Sequence, residues 1–126
     1  PRYFLYFEEV DHCRTAKKAG WEVVFYPHTT VIHLGGESAK SEGKITKSGK
    51  QLDALGIESE LLYFRKHYGL FGLLVDIILI YLAELINTFK RFAKAGVPSD
   101  ISTSLRRVKL VFSIAVKTRL GTKPTR

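Results

Sequence analysis

Tyr3-Phe4-Leu5-Tyr6-Phe7-Glu8-Glu9-Val10-Asp11 is the stretch on which the fold turns. A run of aromatic residues around Leu5 carries high β propensity, and three carboxylates follow within four positions. Residues 3–7 are therefore expected as a strand. A short helix is expected over 8–19, closed by Gly20 as the residue after its C-cap. Acids fill the first turn of that helix and Lys17 and Lys18 its last, which suits the helix dipole at both ends. An apolar strand that ends in clustered acids presents them at a sheet edge. There a carboxylate can hold a metal ion or take a proton from a substrate hydroxyl.

Outward from this stretch, Trp21-Glu22-Val23-Val24-Phe25-Tyr26 reads as a strand that Pro27 closes, and Thr30-Val31-Ile32-His33-Leu34 as a second, ended by Gly35-Gly36. Residues 37–50 are polar and lysine-rich and read as a loop. Residues 51–68 read as a helix with an aromatic end, which Gly69 interrupts. Residues 70–94 are strongly apolar. At about 100° per residue, Asp76, Ala83, Asn87, Lys90 and Lys94 share a narrow arc, with Glu84 and Arg91 beside it, so an amphipathic helix with a wide apolar face is expected. Gly96-Val97-Pro98-Ser99 breaks it. A second amphipathic helix is expected over about 101–119, with Arg106, Lys109, Ser113 and Lys117 on one side and Leu105, Val108, Val111, Phe112 and Ala115 largely opposite.

A length of 126 residues and 45% hydrophobic content bound the chain to one globular domain, with room for an appendage. The chain opens on Pro1 and contains no methionine, and an expected strand begins almost at once, so it reads as a piece of something longer. One cysteine, Cys13, excludes an internal disulfide framework and fits a reducing compartment. The net charge of +8 is uneven: residues 1–64 carry 8 Lys/Arg against 9 Asp/Glu, and residues 65–126 carry 12 against 3. The second half therefore calls for an acidic partner. Its cations are interleaved with aliphatic faces rather than exposed aromatics, which argues for an anionic membrane surface and against nucleic acid.

Each chemical candidate has a plain structural counterpart. Glu8, Glu9 and Asp11 are either acids complementing a helix N-terminus or a general base at a sheet edge. His33, at the end of an apolar strand, is either a buried histidine bonded to backbone or a metal ligand. Cys13 shares the apolar side of its helix with Val10 and Ala16 and reads as core. His12, His28 and His67 read as surface or packing residues. The 70–94 helix lies flat in a membrane interface, packs inside a homo-oligomer or longer protein, or spans the bilayer, in that order of preference. Asp76 and Glu84 count against spanning, since an acid at a helix centre costs roughly 2.5–3.5 kcal/mol on insertion scales.

The ordered pattern Tyr6-Phe7-Glu8-Glu9-Val10-Asp11-His12-Cys13-Arg14, then Ala19-Gly20-Trp21, then Tyr26-Pro27 and Val31-Ile32-His33-Leu34-Gly35-Gly36-Glu37-Ser38 resembles bacterial family 2 glycosyltransferases. The nearest group is the rhamnosyltransferase type, which builds O-antigen and other surface polysaccharides. Ser59–Gly69 is similar to the helix that follows in that family. The resemblance implies an α/β GT-A fold that binds a nucleotide-sugar donor and a divalent metal, Mg²⁺ or Mn²⁺. It implies Glu9 as the base that deprotonates the acceptor, Glu8 as its neighbour orienting acceptor or metal-bound water, Asp11 as support for the helix start, and His33 as a metal ligand. No Asp-x-Asp motif occurs in the sequence. The expectation is therefore the C-terminal, acceptor-side part of an inverting glycosyltransferase over 1–69. A basic, membrane-associating helical region follows over 70–126. The acceptor would be a lipid-linked saccharide, at the cytoplasmic face of the bacterial inner membrane. The alternative is a non-catalytic membrane-surface binding module.

Overall fold

A computed structural model describes residues 2–32, 50–95 and 101–125. Their regular structure is helical: α1 (Glu8–Lys18), α2 (Lys50–Ala95) and α3 (Ile101–Lys117). Inside α2, Gly69 adopts φ 70° and ψ −163°, a region essentially confined to glycine. It divides α2 into a proximal arm, 50–68, and a distal arm, 70–95. The helical expectations thus hold to within a residue or two at each described boundary, and Gly69 breaks α2 where the sequence places the interruption.

The α/β expectation does not hold. No β-strand forms among the described residues, so they do not build the sheet of a GT-A nucleotide-sugar transferase domain. Residues 4–7 are bends, and Tyr6 and Phe7 take left-handed φ values of 67° and 66° that a strand excludes. The proximal arm of α2 holds the aromatic run. Ser59 Oγ donates to the Leu5 carbonyl at 2.7 Å, and the Phe7 and Tyr63 ring centroids lie 5.2 Å apart. Residues 21–26 and 29–32 have no regular structure, and Trp21 and Phe25 are 73% and 89% exposed. A strand exists only where another offers its N–H and C=O groups. Among the described residues none does. His33, Leu34 and most of the expected 37–50 loop lie outside the described residues.

The core gathers Ile57 and Leu61 from the proximal arm, Leu73 from the distal arm, and Val111, Ile114 and Ala115 from α3. The bend at Gly69 is what lets Leu61 and Leu73 serve one cluster. α3 runs antiparallel to the distal arm. Near the start of α3 the Ser104 and Thr88 hydroxyls meet at 2.7 Å, and Arg107 Nε reaches Glu84 Oε1 at 3.1 Å. Beyond its end, Gly121 lies so close to the proximal arm that a Cβ there would come within 2.5 Å of the Leu61 carbonyl oxygen. Glu58 accepts hydrogen bonds from the Thr125 amide and hydroxyl at 2.7 and 2.9 Å.

The distal arm is arranged oppositely to a helix on a water-soluble core. Its polar Asp76, Glu84 and Thr88 turn toward the other helices, together with Leu73, Ile77 and Ile80. Its outward face is apolar: Phe71, Leu74, Ile78, Leu82, Ile86 and Phe89 are all exposed. With Leu70, Val75, Leu79 and Leu85, which are exposed beside them, this face covers about half the helix circumference at about 100° per residue. The polar stripe read from the sequence is therefore split, with Asp76 and Glu84 inside and Asn87 and Lys90 outside. On α3, Leu105, Phe112 and Val116 form an exposed apolar strip, and Arg106, Lys109 and Lys117 flank it.

Candidate functional site

α1 begins without a side-chain cap: Phe7 occupies the N-cap position in a left-handed conformation and makes no capping hydrogen bond. The first amides of the helix are left to the dipole-complementing acids Glu8, Glu9 and Asp11. The three acids then part company. Glu8 and Glu9 are exposed, and among the described residues neither carboxylate has a hydrogen bond or ion pair. Asp11 is tied to the end of the proximal arm. Lys66 Nζ donates to both of its oxygens, at 2.8 and 2.6 Å, and His67 Nε2 meets Oδ1. Burial acts to raise the Asp11 pKa, but the hydrogen bonds from Lys66 and His67 outweigh it and hold the carboxyl below the usual carboxylate range.

A cationic and aromatic seam continues this tie. Arg14, one turn along α1, donates to the Tyr63 hydroxyl at 3.4 Å and to the Tyr68 hydroxyl, and its guanidinium lies 4.4 Å from the Tyr68 ring centroid. The Tyr63 and His67 rings lie 4.7 Å apart. The Tyr3 hydroxyl is buried beside Asp11, and burial first, then the Asp11 charge, push its pKa up. Only 5% of the His67 side chain is exposed. His67 is thus a fastening between α1 and α2 rather than a group open to substrate. The sequence reading placed His67 among surface or packing residues, in line with its burial against Tyr63, but it gave Lys66, His67 and Arg14 no part in the site. The only local signal is the polar run Arg65-Lys66-His67-Tyr68 after Tyr63-Phe64, and nothing in it points to a carboxylate 55 residues upstream.

Beside α1 a recess of about 430 Å³ opens between the aromatic bend and the helices, lined by Tyr6, Phe7, Val10, Gly56, Ile57, Glu60 and Arg107 among others. Burial raises the Glu60 pKa, with Arg107 opposing it. Ring faces combined with two carboxylates, Asp53 and Glu60, and one guanidinium suit a hydroxyl-bearing ligand. Glu8 and Glu9 do not line the recess; they stand on the same helix turn as Val10, which does. No group of three or more His, Cys, Asp or Glu among the described residues could cage a metal ion. His33, expected to ligate one, lies outside the described residues. No family model, curated protein or solved structure matches the chain.

Proposed function

We propose that this chain is the acceptor-side, membrane-associating segment of a nucleotide-sugar-dependent glycosyltransferase. What supports the enzymatic part is the ordered pattern from Tyr6 through Ser38 together with the fate of its three acids. Asp11 fastens α1 to α2, while Glu8 and Glu9 are exposed on the same helix and have no partner among the described residues. A general base needs a carboxylate that is free, held in place and within hydrogen-bond reach of the hydroxyl it deprotonates. Glu9 takes that role toward an acceptor saccharide. Glu8 orients the same hydroxyl, and the neighbouring recess receives the sugar against Tyr6 and Phe7. Deprotonation makes the oxygen a nucleophile that attacks the anomeric carbon from the face opposite the departing nucleoside diphosphate, which inverts the configuration. The donor half of the site is contributed from outside the described residues.

What supports the membrane part is the outward apolar face of the distal arm, together with the exposed strip Leu105, Phe112 and Val116 on α3. Burying each of its large side chains contributes about 1.5–3 kcal/mol. The cations that flank the strip favour an anionic leaflet at about 1 kcal/mol each. Both helices then lie along the interface and hold the acids of α1 where a lipid-linked acceptor presents its sugar.

The test is sugar transfer from a nucleotide-sugar to lipid-linked acceptor, by membranes from cells expressing the intact gene product that carries this chain. Glu9→Gln should lower kcat by about 10²–10⁴ while donor affinity stays unchanged. Transfer at the unsubstituted rate removes Glu9 from the role of base. A second reading, a non-catalytic membrane-surface module, is favoured by one observation: neither Glu8 nor Glu9 lines the recess. It gains if transfer survives Glu8→Gln/Glu9→Gln while vesicle binding persists.

A further inference from the structure

A second groove, of about 390 Å³, runs between α3 and the start of the proximal arm, and Asp53, Thr103, Arg106, Arg107, Lys109 and Leu110 line it. It brings three cations and a hydroxyl to one wall and a single carboxylate to the other. Arg107 engages Glu84 through Nε and lines this groove together with Arg106 and Lys109. Lys109 borders the exposed apolar strip Leu105, Phe112 and Val116 on the helix surface, with Arg106 on the far side of Lys109. When that strip enters the acyl region, the cations stand at the depth of the lipid phosphates, as long basic side chains do when their stems follow apolar surface.

We propose that this groove is a headgroup site for a phosphodiester lipid whose headgroup carries a hydroxyl, of the phosphatidylglycerol kind. Arg106, Arg107 and Lys109 hold the phosphate oxygens by charge-assisted hydrogen bonds, and Thr103 donates to the same oxygens. Asp53 accepts a hydrogen bond from the glycerol hydroxyl. The same carboxylate disfavours a headgroup that carries a carboxylate of its own, so the groove discriminates between two lipids of equal net charge. A diffuse basic surface reads only charge density and makes no such distinction. The proposal rests on the interfacial placement of α2 and α3 argued above, and it is tested so that the two fail separately.

The 126-residue chain is titrated with vesicles in which phosphatidylglycerol or phosphatidylserine supplies the same mole fraction of anionic lipid. Binding to phosphatidylglycerol should be at least tenfold tighter. Asp53→Asn should erase that preference, and Arg106→Gln/Lys109→Gln, both surface substitutions, should weaken binding to phosphatidylglycerol about tenfold or more. In parallel, dihexanoylphosphatidylglycerol below its micelle concentration should shift the Thr103 and Leu110 amide resonances, and inorganic phosphate should not match it at equal concentration. Equal binding of the two vesicle types overturns the proposal, as does phosphate acting as well as the short-chain lipid. Amide shifts with the short-chain lipid but no binding to any vesicle would leave the groove standing and overturn the interfacial placement instead.

Discussion

Two aspartates carry opposite electrostatic consequences. Asp11 is held below its ordinary range by Lys66 and His67 against the cost of burial, so the native state binds its proton less readily than the unfolded chain does. Its contribution is therefore complete above the unfolded carboxylate value near 4 and is lost as pH falls through the lower folded value. Lys66 is about one-third exposed, so the tie is worth about 1 kcal/mol. Asp11→Asn should lower stability by about that much at pH 7 and flatten the acid limb of the stability profile, as followed by helical circular dichroism. Asp76 is the reverse case. It is 5% exposed, its Oδ2 has no hydrogen-bond partner among the described residues, and burial first, then the neighbouring Glu60 charge, raise its pKa to about 7. Between its unfolded value and about 7 the folded state binds more protons, so this residue's contribution falls as pH rises through that window. Asp76→Asn should stabilise the fold by about 1–3 kcal/mol above pH 7 and leave it nearly unchanged near pH 4. A fall in melting temperature at pH 8 would show that the ionised carboxylate has an unseen partner.

Element by element, the helices were legible and the strands were not. Residues 8–19, 51–68, 70–94 and 101–119 carry their own periodicity, their own end charges and Gly69 as a breaker. Each of these signals is local, and a helix satisfies its hydrogen bonds within itself. The aromatic runs 3–7 and 21–26 hold the same β propensity that a strand would, but propensity describes fit to a sheet that must be supplied elsewhere. Among the described residues the first run is bent onto α2 through Ser59 and Tyr63 instead. The site was half legible for a related reason. The clustering of Glu8, Glu9 and Asp11 is visible in the sequence, whereas the partners that separate Asp11 from the other two, Lys66 and His67, are joined to it only by the folding of α1 onto α2. Gly69 is where sequence and architecture meet. Its φ of 70° with ψ −163° costs a residue with a Cβ about 1–3 kcal/mol. Gly69→Ala should lower stability by that amount. Because Leu61 and Leu73 stand on either side of this bend within one cluster, it should also separate the two arms, read as a longer distance between spin labels at the exposed positions Asp53 and Leu79. An unchanged distance with unchanged stability would mean that the bend is enforced by α3 and not by the glycine.

At the scale of the whole molecule, the arrangement of polar and apolar groups decides how it meets a bilayer. α2 is long and apolar enough over Leu52–Ala93 to cross one by length and composition, yet only about half of the distal arm's circumference is apolar and outward. The other half carries Asp76 and Glu84 against the proximal arm and α3, with Asn87 and Lys90 exposed beside them. A spanning helix would have to take that polar flank and the cationic side of α3 through the hydrocarbon, at roughly 2.5–3.5 kcal/mol for each central charge. Lying flat leaves both in the headgroup region and still covers the apolar face. The two orientations differ in a measurable way, because Phe71, Leu82 and Phe89 all project from the same outward face. Along the helix axis Phe71 and Phe89 are about 27 Å apart at about 1.5 Å per residue, close to the ~30 Å hydrocarbon thickness. Spin labels placed singly at these positions, with Cys13 replaced by serine, should report nearly equal, shallow depths in anionic vesicles if the arm lies flat. A spanning arm would put Leu82 near the midplane and the other two close to opposite headgroup layers. Salt should weaken vesicle binding only by the share that Arg106, Lys109 and Lys117 contribute, about 1 kcal/mol each, and the three labels should stay equally shallow because burial of the apolar face is the larger contribution.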